Sequence, residues 1–274
     1  MFDYLAIGHV SLDVTPAGLT PGGTVSYAGR VAQALGCRTA ILSSAGADFD
    51  IAGALAGLTV RIVPAGQTTI FENSDTSAGR QQILHSRATY LTPAHLPAGW
   101  DRAAIVHLAP IANELSSNLV NCFSNSLIGL TPQGWLRRWD AAGRVYSVAW
   151  PEASQVLPLA AAVILSEEDL VGQQSQLHFY CQWSKLLVLT QGPAGCTLFF
   201  QGESYHIPAP KVNEVEPTGA GDVFAAAFLF RLHQTTGNPW EAARYANDMA
   251  AQSVTRPGLT AKIALLEQLV SEPL

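Results

Sequence analysis

The sequence predicts an α/β fold built around a mostly parallel sheet, and two observations carry that expectation. Short apolar runs alternate with helix-length patterns along most of the chain. Several of those runs are apolar at consecutive positions, as strands are when both faces of a parallel sheet are covered. Leu5 to Val10, Thr39 to Ser44, Ala104 to Ala109, Leu127 to Leu130, Val145 to Ala149, Ala161 to Leu165 and Leu186 to Thr190 read as strands. Between them, Val25 to Leu35, Ile51 to Leu55 and Ser175 to Ser184 read as helices. Such alternation implies layers of helices on a sheet, joined by right-handed crossovers. Residues 58 to 92 break the pattern. There Leu58 to Val63, Thr68 to Glu72 and Gln81 to Ser86 read as antiparallel strands with one wet face, a small sheet beside the main one. Cys196 to Phe200 and Ser204 to Ile207 form a hairpin across a Gln201-Gly202-Glu203 turn. The last quarter is helical: Ala220 to His233, Pro239 to Val254 and Ala261 to Val270, with Pro239 suited to a first turn.

Composition removes several functional classes. The chain has 274 residues, enough for one large domain. Only 13% are charged, which does not suit a disordered chain, and 48% are apolar. Fifteen Lys+Arg face 21 Asp+Glu, for a net charge of −6, so no nucleic-acid partner is expected. Cys37, Cys122, Cys181 and Cys196 lie far apart without a C-x-x-C pair, which points to buried thiols and not to a zinc site or disulfide scaffold. No run of about 18 uncharged apolar residues occurs, so no membrane span is expected. Met1-Phe2-Asp3-Tyr4 runs straight into a strand-like segment, and a soluble cytoplasmic protein is the expectation.

The segment richest in chemistry is Glu216-Pro-Thr-Gly-Ala-Gly-Asp222-Val-Phe224, which runs into an apolar helix. First-turn amides of a helix have no intrahelical acceptor, and the helix dipole adds partial positive charge, so this start suits an anion. Gly219 and Gly221 allow close approach to the backbone. Asp222 in the same turn suits a proton acceptor. Donors and a carboxylate together fit phosphoryl transfer to a hydroxyl. The alternative from the same residues is that Thr218 caps a core helix and Asp222 complements its dipole.

Thr218-Gly-Ala-Gly-Asp222 followed by Val-Phe resembles the C-terminal signature of the ribokinase-like, or PfkB, carbohydrate kinases. Gly22-Gly23 before a helix ending Ala34-Leu35-Gly36 resembles their N-terminal signature. Thr190-Gln-Gly192 resembles the nucleotide turn, and Gly8 to Asp13 the first strand with its substrate-binding aspartate. Gly46-Ala-Asp48 and Val254-Thr-Arg-Pro-Gly258 resemble two further family turns, and these segments keep the family order. The resemblance implies a ribokinase-like three-layer α/β sandwich: a central mostly parallel sheet and a small β-sheet lid. The whole chain, 1–274, would be one kinase domain, with lid strands drawn from about 10–22 and 58–92.

The resemblance also implies ATP-dependent phosphorylation of a hydroxyl on a sugar, polyol or similar small molecule. Asp222 would be the base, and the amides of Gly219, Ala220 and Gly221 the anion hole. Thr190, Gly192, Thr218 and Gly221 would line the nucleotide site. Ser11, Asp13, Gly23, Thr24 and Tyr27 would face the acceptor. Mg2+ would bridge the phosphates, and K+ is the monovalent cation such a loop suggests, with Arg256 a candidate support. Glu167 and Asp169 are metal-shell candidates or simply an acid-rich helix start.

Several residues depart from the family pattern. Glu216-Pro217 stands where members often have Asp-Thr, and Ser166 to Asp169 where many have Asn-x-x-Glu. Tyr27 and Ser11 replace amides, which makes the pocket more aromatic, suits a cyclic polyol and is similar to plant-type inositol kinases. A nucleoside or a vitamin precursor is the alternative acceptor, and a catalytically silent relative that binds sugar or nucleotide is the rival class. Monomer and homodimer both remain open. A dehydrogenase fails because Gly8-His-Val-Ser-Leu-Asp13 is no G-x-G-x-x-G, and no Walker-type motif occurs. Gln133 and Arg137 follow a strand end, where open sheets place ligands, although a surface ion pair also accounts for Arg137. His9 and His107 read as satisfied core or edge histidines, and Trp135, Trp139 and Trp150 as packing residues.

Overall fold

A computed structural model describes residues 1–76 and 79–271. The chain enters through β1 (Tyr4–Ile7), whose four residues are all buried. It then leaves the main sheet for β2 (Ser11–Thr15) and β3 (Gly18–Gly22) and returns through α1 (Thr24–Ala34) to β4 (Thr39–Ala45). A short α2 (Ile51–Ala54) leads to β5 (Thr59–Pro64), and β6 (Thr69–Thr76) and β7 (Gly79–Ser86) follow. Next come β8 (Ile105–Leu108), β9 (Leu127–Leu130), β10 (Arg137–Trp139) and β11 (Val145–Ser147). Then α3 (Ala153–Val156), β12 (Ala162–Ser166), α4 (Gln176–Trp183), β13 (Leu186–Thr190), β14 (Cys196–Phe200) and β15 (Glu203–Ile207) complete the strands. Three helices close the chain: α5 (Ala220–Gln234), α6 (Pro239–Ser253) and α7 (Gly258–Ser271).

Among the described residues the main sheet runs β15-β14-β13-β12-β9-β8-β1-β4-β5. From β13 to β5 every neighbouring pair is parallel, and the β13–β14 and β14–β15 pairs at the other edge are antiparallel. Its two faces feed separate cores. One gathers Val25, Val31, Phe224, Phe228 and Leu229 with the residues of α6 and α7, and the other Leu5, Ile7, Trp135, Trp150 and Tyr180 with α3 and α4. Consecutive apolar positions in the strands are thus explained, because neither face meets water. A smaller sheet, β3-β2-β6-β7, stands apart as the expected lid.

Two expectations about strands need correction. Leu58 to Val63 does not belong to the lid: as β5 it pairs parallel with β4 at the edge of the main sheet. Its alternation of open and part-buried residues reflects an edge position, which sequence periodicity cannot tell from a half-wet antiparallel strand. Val145 to Ala149 does not join the main sheet either. It pairs antiparallel with β10, and this hairpin abuts the lid, with the Leu84 amide donating to Gly143 O at 2.8 Å. Phe71, Leu84, Ile111 and Ala112, with Trp139 and Val145 against them, form a small core there.

Candidate active site

The start of α5 is set by Gly219, whose φ of 80° is a left-handed conformation that β-carbon-bearing residues rarely adopt. A β-carbon there would lie 2.3 Å from the Tyr27 ring, so the turn and α1 approach one another too closely for any side chain. The Ala220 amide, expected among the anion-facing donors, instead donates to Pro217 O at 3.0 Å. Among the described residues, the backbone amides of Gly219, Gly221 and Asp222 are used by no backbone acceptor, and Gly221 is exposed. They are the donors this turn presents to solvent.

Asp222 lies half-buried one step into the helix. Burial raises its pKa from 3.8 to about 6, the nearby Asp13 and Asp169 carboxylates add to that rise, and a hydrogen bond from Thr24 and the Arg137 cation oppose it. Thr24 thus bonds this carboxylate, and the charges of Asp13, Asp169 and Arg137 lie close enough to act on it. It stays mostly ionised at neutral pH yet sits close enough to its pKa to exchange a proton.

Ser11, Asp13, Gly23, Thr24 and Tyr27, which the resemblance would place at an acceptor, lie near one another around the β2–β3–α1 junction. Asp13 is in β2, and its carboxylate lies against the Gly22–Gly23 junction, where a β-carbon on Gly22 would stand 2.2 Å from Asp13 Oδ2 and 3.0 Å from Ser11 Oγ. Gly23 precedes α1 with φ 90°, and the Ser26 hydroxyl donates to Gly22 O at 2.8 Å, so the junction delivers Thr24 to Asp222. Tyr27 differs from expectation. Its ring, only 7% exposed, packs on Gly219, so it supports the anion turn more than it offers an apolar face to an acceptor. Burial and the Asp222, Glu216 and Asp13 carboxylates raise its pKa well above the usual range.

On the other side, Thr190 ends β13, and its hydroxyl donates to Leu165 O at 3.3 Å, while Gly192 is exposed in the following turn. The metal candidates have protein partners. Asp169 accepts from the Ser166 amide at 2.9 Å and from Gln133 Nε2 at 3.0 Å, and Glu167 accepts from Gln191 Nε2 at 2.6 Å. No cluster of three or more His, Cys, Asp or Glu with metal-binding geometry occurs among the described residues. Carboxylates so arranged fit a hydrated Mg2+ that arrives on a donor's phosphates, and not an ion caged by protein alone. Arg256 is not gathered into the site; its guanidinium donates to Thr255 O at 3.2 Å.

His9 and His107 are core residues. His9 joins the Thr69 hydroxyl (2.7 Å) and Thr89 O (2.9 Å), tying the lid to the end of β1, and burial lowers its pKa. His107 joins the Tyr4 and Thr131 hydroxyls, and burial lowers its pKa to about 3.

Two groups that the sequence undervalued stand beside the site. Arg137, which could equally have been a surface ion pair, is half-buried with its guanidinium on Ile111 O (3.3 Å) and its charge felt by Asp222. Lys262 is fully buried, with Nζ donating to Glu216 O at 2.8 Å and Thr218 O at 2.6 Å. Its one sequence signal is a charge inside the apolar stretch Leu259 to Leu266, in a chain where only Lys185 and Lys211 are also lysines.

Residues 141–264 match the model of the pfkB family carbohydrate kinases. That match spans just under half of the chain, which over this stretch is similar to the family. The named kinases that the chain is similar to support the class of enzyme the sequence predicts, a small-molecule kinase. A cytidine kinase from Thermococcus kodakarensis is 26% identical over 259 residues, spanning 84% of this chain and 88% of that protein. An inositol 3-kinase from Zea mays is 32% identical over 149 residues, or 51% of this chain and 36% of that one. Among solved structures, a pyrophosphate-dependent kinase of the ribokinase family, complexed with a pyrophosphate analogue and myo-inositol, superposes with a TM-score of 0.82 at 20% identity. That match covers 97% of this chain and 99% of the other, and it shows the shared fold. No helix among the described residues is long and apolar enough to cross a membrane.

Proposed function

We propose that the protein transfers the terminal phosphoryl group of ATP, carried with Mg2+, to a hydroxyl of a sugar or cyclic polyol. The observation that carries this reading is the convergence on Asp222: a carboxylate with its pKa raised to about 6, beside open amides, hydrogen-bonded by Thr24 and near enough to Asp13 to feel its charge. The amides of Gly219, Gly221 and Asp222 bear the charge that develops on the transferred phosphate. Asp222 takes the proton from the attacking hydroxyl. Asp13 and Ser11 accept hydrogen bonds from acceptor hydroxyls, and Arg137 balances the carboxylates around the reacting group. Thr190, Gly192 and Thr218 line the donor side. Magnesium, when bound, draws charge from the phosphates; Glu167 and Asp169 would orient its waters.

A polyol of the inositol type is favoured by the local identity to the maize inositol 3-kinase. A nucleoside is the second reading, because the cytidine kinase aligns along most of both chains. Phosphate-release and product assays over inositols, pentoses, hexoses and nucleosides separate the two. The donor panel includes pyrophosphate, since a close structural neighbour is described as using it. Turnover of no acceptor with any donor would overturn the reading in favour of a silent binder. Asp13→Ala is expected to raise the acceptor's KM by roughly tenfold or more, as loss of a charged hydrogen-bond partner implies, while leaving the donor's KM near its starting value. Equal effects on both would remove Asp13 from the acceptor site.

A further inference from the structure

Lys262 is buried without any solvent-exposed surface, at the fifth position of α7. Two features of that place disfavour a cation. Burial opposes its charge, and the start of a helix carries partial positive charge of its own. An ammonium has three donors and no acceptor, so it persists in such a place only where oxygens converge on it. They do. Glu216 O and Thr218 O accept from Nζ at 2.8 and 2.6 Å, and the Glu216 carboxylate lies 3.9 Å away. That carboxylate in turn accepts from the Gly258 amide at 2.7 Å, at the head of the same helix. The amides of Val215 and Glu216 both donate to Val254 O. The strand-like segment before the anion turn is therefore clasped to α7, and the clasp centres on one positive charge.

The clasp reaches the chemistry through Thr218. In a regular helix the carbonyl four residues back accepts the amide hydrogen. For Asp222 that carbonyl is Thr218 O, and Lys262 occupies it. The Asp222 amide is thereby left facing outward with those of Gly219 and Gly221. We infer that Lys262 is a built-in cation that holds the Glu216–Thr218 carbonyls and sets the anion turn, so that this protein works without the free monovalent cation such a loop would otherwise take up. The inference rests on the proposed phosphotransfer for its kinetic part and stands apart from it for its structural part. Lys262 is in this sense a positioning residue. It touches no reacting atom and acts through the carbonyl of Thr218.

The test compares K+, NH4+, Na+ and choline chlorides at equal ionic strength. Wild-type turnover and melting temperature are expected to be the same in all four. Lys262→Ala opens a hole lined by two carbonyls and a carboxylate oxygen. Its turnover in choline is expected to fall by roughly tenfold to a hundredfold, as misplaced transition-state donors do, with the acceptor's KM little changed. K+ or NH4+ is then expected to restore several-fold of the loss and to raise the variant's melting temperature. Lys262→Met fills the hole with apolar atoms and is expected to show no such rescue. Strong K+ activation of the wild type would overturn the inference. So would Lys262→Ala behaving alike in choline and K+ by both readouts. Should Lys262→Ala fail to fold, the wild-type comparison still decides, and the melting curves decide even if no phosphoryl acceptor is found.

Discussion

Asp222→Asn is expected to lower turnover by about 10²- to 10⁴-fold, the usual loss when a general base is removed, while making the protein more stable at neutral pH. The two effects have one origin. Burial and the Asp13 and Asp169 carboxylates raise the Asp222 pKa from 3.8 to about 6. In the folded protein the proton is held more tightly than in the unfolded chain, so stability that is full below pH 4 is lost as pH rises through 6. Two pK units correspond to at most about 3 kcal/mol at pH 7 to 8, and an Asn has no charge to desolvate. The measurement is a melting curve of each protein at pH 4.5 and 7.5, beside steady-state kinetics. The variant should melt several degrees higher at pH 7.5, with the gap closing toward pH 4.5. Wild-type kcat/KM should fall as the pH drops below about 6, where the base becomes protonated. A variant with near-wild-type turnover would remove Asp222 from the chemistry, and a gap that widens in acid would refute the assigned cause of the shift.

Glu114→Gln is expected to produce the largest loss of stability by a change of two atoms' chemistry. Glu114 is fully buried, and every contact of its carboxylate is with a donor. It accepts from the His9 amide at 3.0 Å, from the Ile111 amide at 2.9 Å and from the Ala112 amide at 2.6 Å. Gln keeps the shape but aims an NH2 group at amides that also donate. Leaving a buried donor without an acceptor costs about 1–3 kcal/mol, more where the acceptor was charged, so a total of about 3 kcal/mol is the expectation. For a chain of this size that is a fall in Tm of roughly 6–12 °C. The effect should extend to function. Glu114 joins the loop that leads into Ser11 and Asp13 to the loop whose Ile111 carbonyl receives Arg137. Loosening it should raise the acceptor's KM as well. A melting temperature within a degree of wild type would show that these amides find other partners.

The elements themselves were legible because their signals are local. The β14–β15 hairpin, the seven-strand run of apolar segments apart from Val145 to Ala149, and helices α1 and α5 to α7 lie within a few residues of where periodicity puts them. The glycine turn that opens α5 was equally legible, since glycine spacing and a following apolar run are local facts. Leu58 to Val63 and Val145 to Ala149 were misplaced for one reason. A strand's residues record how wet its faces are, not which sheet it joins, and partner choice is set by distant chain.

The sequence by itself determined that this is an α/β protein in which a glycine turn and an aspartate open a buried helix, because backbone freedom and hydrophobic period are written residue by residue. Only the tertiary structure decided that the Ala220 amide is already engaged, that Tyr27 supports the turn, and that Arg137, Glu114 and Lys262 hold the site together. The contacts of Arg137 with Ile111, of Lys262 with Glu216 and Thr218, and of Glu114 with His9 join groups 26 to 105 residues apart in the folded interior. There a charge persists only where opposing oxygens or amides converge on it, and that convergence exists only once the chain has folded.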